Sequence, residues 1–118
     1  APSQLLFSFL KDNICIGYGG LVHINWIARH TELSFIMDTA LEQDHFDEIW
    51  GAYLPLIEQV AFEQLSLHKV FTYAFDLRPH LYPVLEQNGY TREATLQEHC
   101  LFEGQYKDVI IHCKINIA

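Results

Sequence analysis

Two histidine–cysteine pairs are the residues whose types could most directly bind a metal ion. His99-Cys100 and His112-Cys113 lie on two predicted strands joined near Gly104. Because adjacent residues of a strand point to opposite faces of a sheet, one member of each pair would face away from a shared site. The close Cys-x-x-Cys spacing of most tetrahedral zinc sites is also missing. The sequence therefore predicts no metal site, and Cys100 and Cys113 are interpreted as small core residues.

Three closely spaced glycines form a second pattern that could do chemistry. Gly17, Gly19 and Gly20 could let a phosphate approach the backbone, but a nucleotide-binding fingerprint requires a helix directly after them. No helical pattern follows here. The glycines are therefore interpreted as part of a bulged strand or of a close backbone approach.

Composition and charge restrict the class of protein. The 118 residues fit one domain, and the formal net charge of −8 comes from seven Lys and Arg against fifteen Asp and Glu. Without a basic stripe, nucleic acid is not an expected partner. No apolar stretch reaches the roughly 18 residues of a membrane span, so no membrane partner is expected. Three widely spaced cysteines favour free thiols in a reducing compartment, and a cytoplasmic location is expected.

Three strands are predicted in the first third of the chain. They span Gln4–Leu10, Ile14–Trp26 and Glu32–Met37. Polar turns at Lys11-Asp12-Asn13 and Ala28–Thr31 separate them. Because each connection is too short for a crossover, the three strands are predicted to form an antiparallel meander.

The rest of the chain predicts two helices and three strands. Residues 38–48 are acidic and are predicted to form a loop. From about Tyr53 the apolar period is helical, with one face made by Trp50, Leu54, Ile57, Ala61 and Leu65. The later elements are a strand at His68–Phe75, a helix near Arg78–Gln87 that ends at Asn88-Gly89, and strands at Tyr90–Phe102 and Tyr106–Ile115. The predicted class is thus α/β (α+β), with a mixed, mostly antiparallel sheet in the order β-β-β-α-β-α-β-β.

Four stretches in this order carry a resemblance to a known family. They are Ile16–Leu21, Ala28–Ile36, Ala61–Val70 and the segment from Leu85 to Val109. Together they resemble the GNAT acetyltransferase superfamily, especially the branch with the ribosomal-protein N-terminal acetyltransferases. The resemblance implies a GNAT-like fold that binds acetyl-CoA between the strands Glu32–Met37 and Lys69–Phe75. It implies N-acetylation of an amine acceptor, which could be a protein N-terminus, an amino sugar or a small amine.

The resemblance also implies catalytic residues. Glu32 matches a position where relatives often carry a glutamate, and it could act as a general base, directly or through water. Alternatively, it is a strand-end carboxylate that faces solvent or pairs with Arg29. The tyrosine that often serves the family as acid is replaced here by Leu85. Tyr82, three residues earlier on the same helix face, could take its place, or it could be a core tyrosine.

Seven residues are implied as cofactor-binding. The backbone of Phe35, Ile36 and Met37 would receive pantetheine. The region that would hold the pyrophosphate includes Trp50, Gly51 and Ala52, and Arg78 stands where the family has an asparagine. The segment that matches the pyrophosphate loop, His45–Gly51, has one glycine and two carboxylates. Carboxylates at a helix start satisfy the helix dipole and leave less for a phosphate. A non-catalytic GNAT-fold binding or assembly module is therefore the alternative function.

The resemblance covers a single GNAT-like domain at residues 1–118 that starts at the family's second strand. The expectation is that the chain is truncated at its N-terminus or is part of a longer chain. An unpaired first strand would leave an open sheet edge, which proteins usually cover. A homodimer or an attached partner domain is therefore expected.

Overall fold

The computed structural model describes residues 1–37, 39–75 and 79–117, apart from the side chains of residues 39, 40 and 75. Within these residues the elements occur in the predicted order. The strands are β1 (Leu5–Lys11), β2 (Ile14–Asn25), β3 (His30–Met37), β4 (Lys69–Phe75), β5 (Thr91–Phe102) and β6 (Gln105–Ile115). The helices are α1 (Thr39–Glu58), which continues into a π-helical turn at Gln59–Gln64, and α2 (Leu81–Gln87).

One mixed sheet contains all six strands, in the order β1-β2-β3-β4-β6-β5. The predicted antiparallel meander β1–β2–β3 is confirmed, and β4, β6 and β5 also pair antiparallel. Only the central pair, β3 and β4, is parallel within the described residues. Because α1 connects β3 to β4, the predicted crossover and the predicted fold class are both confirmed.

Helix α1 begins earlier than the sequence predicts, and the prediction of an acidic loop over residues 38–48 is wrong. The helix starts at Thr39 and bends at His45, whose backbone angles (φ −126°, ψ 17°) are not helical. Acidic residues are favourable in the first turns of a helix, where they face the positive end of its dipole. Phe46 and Ile49 lie among these acidic residues and are buried in the core, so the segment forms an amphipathic helix. Residue 38 itself lies outside the described residues.

The predicted apolar face of this helix is confirmed. Trp50, Leu54, Ile57 and Ala61 are buried in one core with residues of β2, β3, β4 and α2, and Leu65 packs against it in part. The chain then turns at Ser66, where φ is 56°. The helix end predicted at Ser66 is therefore also correct. Helix α2 ends before Gly89, whose φ of 90° suits glycine.

A close approach between β2 and β3 explains the glycines of β2. A Cβ atom on Gly19 would lie 2.0 Å from the carbonyl oxygen of Ser34. Next to this contact the ring of Phe35 stacks on Tyr53, with centroids 4.0 Å apart. The Tyr53 hydroxyl donates a hydrogen bond of 2.8 Å to the Ser34 carbonyl oxygen. The missing side chain thus allows β3 and α1 to pack tightly at the centre of the fold.

We expect Gly19→Ala to lower the free energy of unfolding by about 1–3 kcal/mol, because the added methyl group overpacks this contact. Gly51→Ala is the matched control, since a Cβ on Gly51 meets nothing within 4 Å and the residue is helical. There the same substitution should raise stability by up to about 1 kcal/mol. Urea denaturation of both variants tests this, and equal effects would contradict the proposed close approach.

Candidate functional site

A cleft opens in the sheet where β3 and β4 stop pairing. Among the described residues, their parallel register consists of His30–Lys69, Thr31–Val70 and Glu32–Phe71. The strands nevertheless continue to Met37 and Phe75. The resulting cleft has a volume of about 530 Å³ and is lined by residues of both strands and both helices, among them Glu32, Ser34, Phe35, Trp50, Thr72 and Tyr73.

Two buried polar atoms of the cleft wall have no hydrogen-bond partner among the described residues. They are the indole Nε1 of Trp50 and the hydroxyl oxygen of Thr72. A buried polar atom left without a partner costs about 1–3 kcal/mol, so such atoms usually mark a site that binds something polar. The indole can only donate, whereas the hydroxyl can donate and accept. The side chains that line the cleft thus include one polar atom that can only donate and one hydroxyl that can donate and accept.

Glu32 lies at the start of the cleft, where the strands separate. Its side chain is 22% exposed, and its Oε1 is 3.8 Å from Nε2 of His23. Burial raises the pKa of the Glu32 carboxyl above its ordinary value, and the attraction of protonated His23 opposes this rise. A carboxylate with a raised pKa at the edge of a cleft is suited to accept a proton from a bound ligand.

The implied cofactor-binding residues fall into separate places. Phe35 and Trp50 line the cleft, with their ring centroids 5.2 Å apart. Ile36 is exposed on the face of β3 that lies opposite to Phe35, and Met37 is buried in the core. Neither of these two side chains lines the cleft. Arg78 lies outside the described residues.

The implied pyrophosphate segment is helical rather than a loop. Gly51 and Ala52 lie within α1, where the helix uses backbone N–H groups for its own hydrogen bonds. Near the bend at His45, Glu48 pairs with His45 (3.3 Å) and with Lys11 (3.6 Å). These pairs are exposed, so they contribute little to stability. Lys11 and His45 thus both lie close to the carboxylate of Glu48.

Tyr82, the candidate acid, lies in the core beside the cleft. Its ring stacks on His112, with centroids 5.3 Å apart, and the guanidinium of Arg92 lies 5.3 Å from the ring centroid. Its neighbour Leu81, not Tyr82, lines the cleft. Leu85, where the resemblance would place a tyrosine, is fully buried.

Sequence reasoning did not identify Thr72 as a residue of the cleft. It is a buried polar side chain on a strand that is otherwise largely apolar. The only signal was a threonine within the apolar run of β4. The pairing of Thr72 with His112 depends on the register of β4 and β6, which the sequence does not specify.

No group of three or more His, Cys, Asp or Glu side chains among the described residues could hold a metal ion. None of the described helices is both long and apolar enough to cross a membrane.

The fold is that of solved N-acetyltransferases, although no family model matches the chain. Mutant forms of the spermidine/spermine N-acetyltransferase SpeG from Vibrio cholerae share 23% identity with it at a TM-score of 0.87, covering 97% of this chain and 68% of theirs. The spermidine N-acetyltransferase from Vibrio cholerae in complex with CoA and spermine is 23% identical to this chain, with a TM-score of 0.85. The match covers 96% of this chain and 66% of that protein. A dodecameric structure of the spermidine N-acetyltransferase from Vibrio cholerae is also 23% identical, with a TM-score of 0.84, and the match covers 96% of this chain and 65% of that protein. The chain thus has a GNAT-like fold and spans about two thirds of the length of these proteins.

We expect NMR titration of the Glu32 side-chain carboxyl to give a midpoint above 4.5, because burial disfavours the charged form. His23→Ala should raise the midpoint further, since it removes the opposing attraction. Because the pKa is raised in the folded state, the protein should lose stability relative to Glu32→Gln as the pH rises from 4.5 through the folded-state pKa. A midpoint at or below 4.5 would contradict the burial of this carboxyl.

Proposed function

We propose that this chain is the acyl-CoA-binding part of an N-acetyltransferase that transfers the acetyl group of acetyl-CoA to an amine. The observation that carries the proposal is the cleft between β3 and β4, with two unpartnered buried polar atoms in its wall. The same fold occurs in a protein crystallised with CoA and spermine, which supports this assignment.

The separated strand edges provide the binding surface. Beyond Glu32 and Phe71 the facing edges of β3 and β4 are not paired with each other, so an extended chain with amide groups can lie between them as an added strand does. Pantetheine is such a chain. The indole N–H of Trp50 donates to one of its oxygens, and the ring of Phe35 packs against its apolar part.

Glu32 supplies the base. A thioester is already activated, so the protein needs chiefly to hold the amine near the carbonyl carbon and to remove a proton from the amine. A general base works best when its pKa lies near the working pH. Burial raises the pKa of the Glu32 carboxyl and so moves it in that direction.

A cationic amine of low molecular mass is the acceptor class that we favour. The chain carries a formal net charge of −8, which attracts cations. The similar Vibrio cholerae proteins are named for spermidine and spermine, which are small polyamines. A protein N-terminus or an amino sugar would be the alternative acceptor.

A non-catalytic binding or assembly module is the second candidate function. Gly51 and Ala52 lie inside a helix, and Asp47 and Glu48 lie in the turn that follows the bend at His45. Leu85 replaces a family acid. A fold that has lost coenzyme binding would show these features, and it would retain the cleft only as a remnant.

We also propose that the chain assembles with a partner and works in the cytoplasm. Strand β1 lies at one edge of the sheet and exposes Leu6 and Phe7. An open apolar edge is usually covered, either by a second copy or by another domain. The dodecameric Vibrio cholerae enzyme gives precedent for assembly. The cysteines Cys15, Cys100 and Cys113 are free thiols, as suits a reducing compartment.

Calorimetric titration should show binding of acetyl-CoA and of CoA to the wild-type chain. Trp50→Phe should weaken this binding about two- to tenfold, because it removes one donor worth about 0.5–1.5 kcal/mol. The same variant should also lose some stability without ligand, because the smaller ring leaves a cavity where Trp50 is buried in the core.

Trp26→Phe is the matched control for this titration. Trp26 is half-buried and does not line the cleft, and its indole donates to the Pro2 carbonyl oxygen, so its replacement should leave the affinity for CoA unchanged. No heat with millimolar CoA would instead support the non-catalytic module.

We expect Glu32→Gln to lower kcat for acetylation of spermidine at least about tenfold, because it removes the general base. Affinity for CoA should stay unchanged. Glu93→Gln is the control: this carboxylate pairs with Lys69 on β4 and does not line the cleft. Unchanged turnover in Glu32→Gln would remove Glu32 from the mechanism.

A further inference from the structure

An irregularity in β2 lies directly beside Glu32. The antiparallel register pairs Val22 with Glu32 and then Asn25 with His30, so two residues of β2 stand opposite one residue of β3 between these pairs. Such an extra residue is a β-bulge, which bends the strand and often redirects a side chain beside a functional site. The first residue inside the bulge is His23.

The bulge brings the side chain of His23 to the face of the sheet that carries Glu32. Directly opposite residues share a face, so Val22 lies on the face of Glu32, and a regular strand would direct His23 toward the helices. Instead, Nε2 of His23 lies 3.8 Å from Oε1 of Glu32, and the His23 side chain is 78% exposed. The next residue, Ile24, is buried in the core. Ile24 thus fills the core position, and the imidazole lies beside the carboxyl.

The backbone of His23 is in a conformation that favours glycine. Its φ is 51°, in the left-handed region, which residues with a side chain adopt at some cost. Such conformations persist where the surrounding structure holds them, and they cluster at functional sites. Here Thr31 holds the bulge, because its hydroxyl donates a hydrogen bond of 2.8 Å to the Val22 carbonyl oxygen. The fold thus keeps a histidine at a position where glycine would be less strained.

We propose that His23 is a positioning residue of the candidate site, which acts through Glu32 by carrying away the proton that this carboxylate removes from the amine. Imidazole suits this task because it can accept and release a proton near neutral pH. The Glu32 side chain is only 22% exposed, and an amine bound to it would cover part of that surface. His23 does not line the cleft and stays open to solvent. This inference rests on the proposed acetyltransferase function, and it deepens that function by naming the route by which the proton leaves.

The proton transfer needs no oxidant or further reactant. The nitrogen–carbon bond forms, the carbon–sulfur bond breaks, Glu32 takes a proton from the amine, and the departing thiolate takes a proton from water. The protonated carboxyl then gives its proton to the lone pair on Nε2 of neutral His23. Because 3.8 Å exceeds a direct hydrogen bond, this transfer runs through one water molecule or follows a small rotation of the imidazole. The ring releases the proton to water or to a buffer base, which restores the carboxylate and the neutral imidazole.

Replacement of His23 tests the inference in dilute buffer, where few other bases can take the proton. His23→Gly removes the imidazole, so kcat for acetylation of spermidine should fall at least about threefold, which is well below the full contribution of a general base. His23→Asn should act alike, because asparagine also tolerates the left-handed backbone and its amide does not carry a proton away. The affinity for CoA, measured by calorimetry, should stay unchanged. The urea midpoint of His23→Gly should not fall, since glycine suits this backbone.

Added imidazole distinguishes the loss of a proton carrier from a structural defect. It should raise kcat of both His23 variants toward the wild-type value as its concentration increases, and it should change wild type little. His80→Asn is the matched control: Nε2 of His80 also lies 3.8 Å from a glutamate oxygen, Oε1 of Glu42, and neither residue lines the cleft. This variant should keep kcat and should not respond to imidazole.

Equal kcat in wild type and in both His23 variants in dilute buffer would overturn the inference while leaving the proposed function intact. A lower kcat that imidazole does not restore would also overturn it, because such a loss indicates a structural role. Failure of wild type to acetylate spermidine or any other amine would overturn the proposed function, and the inference with it.

Discussion

The short parallel pairing between β3 and β4 is the constraint on which the candidate site depends. Three residue pairs hold the strands together, and beyond Glu32 and Phe71 they separate. The antiparallel partners keep both strands in the sheet, since β2 pairs along β3 and β6 pairs along the whole of β4. The gap is therefore built into an otherwise continuous sheet, and its walls are rigid strands rather than loops. A site on such elements holds its groups in fixed geometry.

An aromatic cluster beside the gap packs β3 against α1. Phe35 projects from β3 onto Tyr53 and Trp50 of α1, with centroids 4.0 Å and 5.2 Å away. The Tyr53 hydroxyl bonds the Ser34 carbonyl oxygen, which ties the helix to the strand at the level of the cleft. Gly19 allows this arrangement, because a side chain there would meet the Ser34 carbonyl oxygen. Burial raises the pKa of the Tyr53 hydroxyl well above its ordinary value, so it remains a neutral donor in this contact.

The periodic elements could be predicted from the sequence, because alternation and helical spacing are local properties. The meander, the crossover and the buried face from Trp50 to Ala61 all follow from such patterns. The start of α1 could not be predicted in this way. Its acidic residues have a loop-like composition, whereas in the folded protein they surround Phe46 and Ile49, which pack into the core. The pair of Thr72 and His112 is likewise invisible in the sequence, since forty residues separate its members and only the β4–β6 register brings them together.

Strand alternation explains why Glu32 and Thr72 lie on opposite faces of the sheet. Glu32 and Phe71 are partners in the parallel register and point to the same face of the sheet. The next residue of β4, Thr72, therefore points to the opposite face, toward the helices. Both helices cover this second face with a shared core, whereas the Glu32 carboxyl lies on the other face, near His23. The two polar side chains that line the cleft therefore have different surroundings, since Glu32 is partly exposed and Thr72 is buried.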